Sequence, residues 1–219
     1  REVQDQVFGT GTRTSVDFSK ADRILSLDCD FLGLDAIGSA SDFSRKRQGG
    51  GEDYREDVAA DAMNRLYMIE SAFSLTGGMA DHRMRAKPSQ MTAVAAQVAS
   101  ELGVQVTGYE SGKLSSEEKA KLLGSAENFD SWIRECVADL KAHQGKAVVL
   151  AGSRHSEELQ RIVIAINNEI GSYGGPMVVY ETGRAEYGTI EDFEADVDEG
   201  TSVVLLGPAN PLFDRPGER

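Results

Sequence analysis

Cysteine is nearly absent: Cys29 and Cys136 are the only two in 219 residues, far apart and in no paired motif. Iron–sulfur clusters and structural zinc need about four closely spaced ligands, so neither can be assembled here from cysteine. Both thiols read as buried and inert. Histidine is almost as scarce, with three residues. His82 has only the adjacent Asp81 as a further ligand type nearby, and His143 has no partner that the sequence identifies, so no metal site is expected. Positive charge is in deficit as well. The 23 Lys and Arg face 36 Asp and Glu, and the net charge of −13 repels nucleic acid and anionic membrane surfaces. No apolar run approaches the roughly 20 residues needed to span a bilayer, so no direct membrane insertion is expected. The chain opens on Arg1 without a methionine or a signal-like apolar stretch, the start expected of an excised or processed piece.

Motifs for phosphate and acyl chemistry are missing too. Gly49-Gly50-Gly51 lacks the Gly-Lys-Ser/Thr ending of a phosphate loop and reads as part of a charged surface loop over residues 44–53. Gly9-Thr10-Gly11-Thr12-Arg13 lacks the third glycine of a dinucleotide fingerprint and has no strong strand before it. There is no nucleophile elbow.

What is present is a repeating pattern. Apolar runs at residues 23–27, 66–69, 147–150, 177–180 and 202–206, bounded by Gly and Pro, have the continuous character of parallel strands covered on both faces. Between them lie stripes of 3.6 period: Met91, Val94, Ala95, Val98 and Leu102; Trp132, Ile133, Cys136, Val137 and Leu140; and Leu159, Ile162, Val163, Ile166 and Ile170, the last opening after Ser156 as N-cap. A weaker helical turn covers residues 190–195, and Val104-Gln105-Val106 offers a further strand. Strand and helix alternating in this way predict an α/β chain, a Rossmann-like three-layer αβα with a mostly parallel sheet. Its halves, residues 1–110 and 143–219, are joined by a polar connector at 111–142. One continuous sheet is favoured over two domains, because a two-stranded sheet is marginal alone.

The turn Ala151-Gly152-Ser153-Arg154-His155-Ser156 follows a strand and opens a helix, where backbone N–H groups favour anions. Arg154 and His155 add donors, yet Glu157 and Glu158 already satisfy the positive helix end, so capping is the commoner use. Asp28 and Asp30 alternate with Leu27, Cys29 and Phe31 and should point to one side of a strand end. A carboxylate pair there suits acid–base work or a cation, with capping of the following loop as the plainer role.

The residues Ile69-Glu70-Ser71-Ala72-Phe73-Ser74-Leu75-Thr76, then Ala80-Asp81, then Lys87-Pro88, followed by the helix at 92–102, form a frame. It resembles the molybdopterin oxidoreductases of the DMSO reductase superfamily, in which a strand ends in Asp-Pro-Arg and is followed by Thr, Ala-Asp and Arg-Pro-Gly-Thr-Asp. Residues 19–27 are similar to that family's first strand. Ala165-Ile166-Asn167-Asn168-Glu169-Ile170-Gly171 is similar to its Ala-Leu-Asn-x-x-Leu-Gly helix end, and residues 205–213, with Asn210-Pro211, are similar to its Gly-x-Asn-Pro turn. The run 25–33 followed by Met63-Asn64-Arg65-Leu66-Tyr67 looks like the molybdopterin-oxidoreductase-like, iron–sulfur-bearing subunit of alternative complex III, a quinol-oxidising respiratory assembly.

The departures decide what the resemblance implies. Glu70-Ser71-Ala72 replaces Asp-Pro-Arg, Ser89-Gln90-Met91 replaces Gly-Thr-Asp, and Asp28-Cys29-Asp30-Phe31 puts acids where phosphates would approach. The implied role is a non-catalytic scaffold or docking domain, with no cofactor in this chain and iron–sulfur clusters elsewhere in the subunit. Its partners would be the rest of that subunit and other subunits of a membrane-associated electron-transfer complex, on the periplasmic side. The alternative is a domain that binds molybdopterin guanine dinucleotide through Arg154, His155 and Asn210.

Overall fold

The computed structural model describes residues 2–47, 63–105 and 113–182. In chain order the elements are α1 (Glu2–Phe8), β1 (Thr12–Val16), β2 (Arg23–Leu27), α2 (Ala40–Arg45), β3 (Arg65–Glu70), α3 (Leu75–Gly78), β4 (His82–Arg85), α4 (Met91–Leu102), α5 (Ser116–Leu123), α6 (Ala126–Ala142), β5 (Ala147–Ala151), α7 (Glu157–Glu169) and β6 (Met177–Glu181). Four strands form an all-parallel sheet in the order β4-β3-β2-β5, flanked by helices in a Rossmann-like arrangement. The chain builds outward from β2 through β3 to β4, then returns to lay β5 on the other side of β2. That reversal is a topological switch point.

The strands sit where they do because successive side chains feed two cores. Leu25, Leu27, Tyr67, Ile69 and Val149 pack under α4, α6 and α7. Ile24, Leu66, Val148 and Leu150 pack on the opposite face against Phe18, Phe31 and Phe43. All five residues of β2 are buried, as a central strand requires. The buried hydroxyl of Ser26 donates to Cys29 O at 2.8 Å.

At the N-terminal end of the sheet one carboxylate ties α6 down. Asp139 accepts from Arg23 Nε (2.7 Å), Arg65 Nη1 (2.8 Å) and the Tyr67 hydroxyl (2.9 Å). Burial opposes ionisation of Asp139, but the bonds from Arg23, Tyr67 and Arg65 outweigh it and hold the carboxyl below its ordinary range. Burial, then the bond and charge of Asp139, push the Tyr67 phenol up.

Three sequence expectations change. The run at 177–180 does form a strand, β6, but outside the parallel sheet: it pairs antiparallel with β1, a strand the sequence pattern did not suggest. The outer edge of β5 is already occupied. The buried Asn167 side chain accepts from Val149 N–H (2.8 Å) and donates to Val149 O (2.7 Å), while Ser172 Oγ donates to Ala147 O (2.8 Å). A side-chain amide therefore stands where a neighbouring strand would bond. The proposed strand at 104–106 does not extend through its described residues, because Val104 N–H is used to close α4 beyond Gly103, at φ +86. The stripe from Trp132 to Leu140 does form a helix, α6, within the connector, which also holds α5; the loop expected from residue 44 begins inside α2. The fifth apolar run at 202–206, the turn at 190–195 and the glycine run at 49–51 lie outside the described residues.

Asn167→Ala strands the N–H and C=O of Val149 in a buried setting. We expect a loss of roughly 2–3 kcal/mol, read as a lower denaturation midpoint with an unchanged slope.

Candidate functional site

Three parallel strands end side by side at the switch point, and the candidate residues meet there. β2 stops at Leu27, and Asp28 takes φ +54, left-handed backbone that Asp tolerates better than most residues. Asp28 N–H donates to Ile69 O of β3 (2.7 Å), and Gly152 N–H, just past β5, donates to Leu27 O (3.0 Å). A Cβ at position 152 would collide with the Asp28 carbonyl, so glycine is required there.

This reversal overturns the expected alternation. Asp28 and Asp30 do not act as a pair; each holds a different loop. Asp28 accepts from the N–H (2.9 Å) and hydroxyl (3.2 Å) of Ser71, and its second oxygen lies 3.0 Å from His155 Nε2. Asp30 accepts from the N–H (3.1 Å) and hydroxyl (2.8 Å) of Thr76, and from Leu34 N–H (3.3 Å). Asp35 accepts from the N–H (3.2 Å) and hydroxyl (2.7 Å) of Ser153, and from Asp30 N–H (3.1 Å). Three carboxylates from the segment after β2 thus fasten the loops after β3 and β5. Burial opposes ionisation of Asp30, but the Thr76 hydroxyl and N–H and the Leu34 N–H outweigh it, holding this carboxyl below its ordinary value.

Glu70, the last residue of β3, is fully buried. It accepts from the N–H (3.2 Å) and hydroxyl (2.6 Å) of Ser74 and forms an ion pair with Arg83 of β4. A Cβ at Gly77 would run into that carboxylate, so any larger residue there would displace the buried ion pair. Arg83 in turn lies 4.8 Å from the centre of the Phe73 ring.

The Ser71 hydroxyl reaches both oxygens of the Asp28 carboxylate (3.2 Å each), and His155 Nε2 faces one of the same oxygens. Burial, and then the charges of Asp35, Asp30 and Asp28, push the Cys29 thiol well up, and burial does the same to Cys136. Among the described residues, no group of three His, Cys, Asp or Glu side chains is placed to hold a metal ion, and no helix is long and apolar enough to cross a membrane.

Of the residues singled out in the sequence, His155 is drawn onto Asp28. Arg154, one position earlier, is exposed and has no hydrogen-bond or ion-pair partner among the described residues. Ser156 caps α7 by accepting from Leu159 N–H (3.3 Å). Asn210 lies outside the described residues. Asp81 makes two bonds with Arg47 (2.6 and 2.9 Å) and accepts from Leu66 N–H (2.7 Å), while His82 stacks on Tyr67 at 4.8 Å. Sequence reasoning missed Asp35 and the exposed apolar residues on these loops: Leu34 (78% exposed), Phe73 (74%) and Leu75 (68%). No family model matches the chain, and no curated protein matches it either.

A carboxyl held below its unfolded value of about 3.9 contributes stability that is present above that value and lost as pH falls through the folded value. Asp30 and Asp139 both act in this direction. Thermal stability should therefore be level down to about pH 5 and fall below about pH 4. Asp30→Asn should flatten that fall, and melting curves across the range check it.

Proposed function

We propose that this chain is a non-catalytic scaffold and docking domain of a molybdopterin oxidoreductase-like electron-transfer subunit in a respiratory quinol-oxidising complex. One observation carries the reading. In parallel α/β sheets an anionic ligand settles on the free N–H groups of the loops at the switch point. Here the N–H groups of Ser71, Thr76 and Ser153 already bond Asp28, Asp30 and Asp35. The chain's own carboxylates occupy the anion positions, and a pyrophosphate arriving there would meet fixed negative charge.

The family part of the reading is supported by the order and spacing of the Glu70–Thr76, Ala80-Asp81 and Lys87-Pro88 frame. On this reading electron transfer and the iron–sulfur clusters belong to parts of the subunit beyond this chain. Its partners are those parts and the neighbouring subunits on the outer side of the cytoplasmic membrane. Leu34, Phe73 and Leu75 give the docking role a surface. Leu34 and Leu75 flank the same Asp30 carboxylate, which accepts from the N–H groups of Leu34 and Thr76. The second reading, a domain for molybdopterin guanine dinucleotide, has the unpaired Arg154 beside the switch point in its favour.

Calorimetric titration with GDP separates the two. The scaffold reading expects no saturable binding tighter than about 1 mM, whereas a dissociation constant near or below about 1 μM would restore the cofactor-binding one.

A further inference from the structure

A cleft of about 660 Å³ runs along the outer edge of β5, walled by α7 on one side and by α1, β1 and Tyr173 on the other. Its volume is that of a small-molecule site. Most of its wall is apolar, with Phe8, Ile37, Val163 and Met177 among the lining residues. The rings of Phe8 and Tyr173 meet edge to face at 5.2 Å, forming an aromatic corner.

Two ring-borne polar groups in this wall lack hydrogen-bond partners among the described residues. His155 presents Nε2 to the Asp28 carboxylate at 3.0 Å, and a ring nitrogen facing a carboxylate carries the proton. In the neutral ring Nδ1 is then a bare acceptor, and among the described residues it has no partner. The imidazole is largely shielded, with 12% of its side chain exposed. The Tyr173 hydroxyl also has no hydrogen-bond partner among the described residues. Burial alone pushes this phenol up to about 12, so it remains an O–H donor at neutral pH. An acceptor and a donor without partners, in one mostly apolar cleft, are what a ligand would satisfy.

Charge narrows the class. Arg13 is paired with Asp5 at 2.9 Å, and Glu157 lies 3.7 Å from Arg161, so the ionic groups of the wall already have counter-charges. We infer that this cleft binds a small, uncharged, ring-bearing molecule with a hydroxyl group, which donates to His155 Nδ1 and offers an oxygen to Tyr173. This ligand differs in kind from a phosphate-bearing cofactor, and the inference stands whether or not the docking reading holds.

The test uses phenol, with toluene and benzoate as controls, titrated into the ¹⁵N-labelled chain and followed by NMR. The expected result is a His155 ring protonated at Nε2 in the free protein and saturable phenol binding that shifts its Nδ1 resonance. Toluene and benzoate should bind about tenfold or more weakly, the equivalent of one lost hydrogen bond. At least one of His155→Ala and Tyr173→Phe should weaken phenol severalfold, the second serving if the first disturbs the Asp28 loop. A ring protonated at Nδ1, no saturation with phenol, toluene binding as well as phenol, or phenol binding unchanged in both variants would each overturn the inference.

Discussion

Loops that leave the C-terminal end of a parallel sheet carry backbone N–H groups that no strand can satisfy, and each must find an acceptor. In many α/β proteins a ligand's phosphate supplies it. Here the acceptors are Asp28, Asp30 and Asp35, all from the segment that follows the central strand β2. The rest of the site follows from that substitution. Asp28 has to turn through a positive φ to reach Ser71, Gly152 has to lack a Cβ so that the strand after the switch point can pass, and His155 is drawn in as the second partner of the same carboxylate.

The sheet is thereby tied at both ends by acids, with different consequences. At the N-terminal end Asp139 gathers Arg23, Arg65 and Tyr67 into a charge-compensated clamp under α6. At the C-terminal end the carboxylates face hydroxyl and N–H groups, so negative charge accumulates without a matching cation beside each acid. Of the cations at this end, Arg83 is spent on the buried Glu70, and Arg154 is exposed and pairs with none of these carboxylates. That imbalance disfavours an anion and leaves the neighbouring cleft beside β5 to uncharged chemistry.

Much of the fold was legible in the sequence because β2 and β5 are continuous apolar runs and α4, α6 and α7 carry clean stripes at helical spacing. The strands that were not legible lie at edges. β4 reads His-Arg-Met-Arg, with only Met84 buried, and β1 is mostly polar. β6 misled for the opposite reason: it is apolar yet mostly exposed, because Asn167 had already taken the edge it would have joined. The site was legible only in part. Asp28, Asp30, Arg154 and His155 could be picked out by type and position, but the alternation that seemed to pair the two acids ends at Leu27. The partners that define their roles lie 43, 46 and, for Asp35, 118 residues away, beyond any local pattern. Tyr173 gives no local signal at all; burial and the missing partner single it out.

At the switch point this chain supplies its own anions. Amide hydrogen exchange at Ser71, Thr76 and Ser153, with and without excess phosphate, tests it most directly. Protection of all three amides in the ligand-free chain, unchanged by phosphate, is the predicted result. Amides that exchange freely alone and become protected when phosphate is added would contradict it.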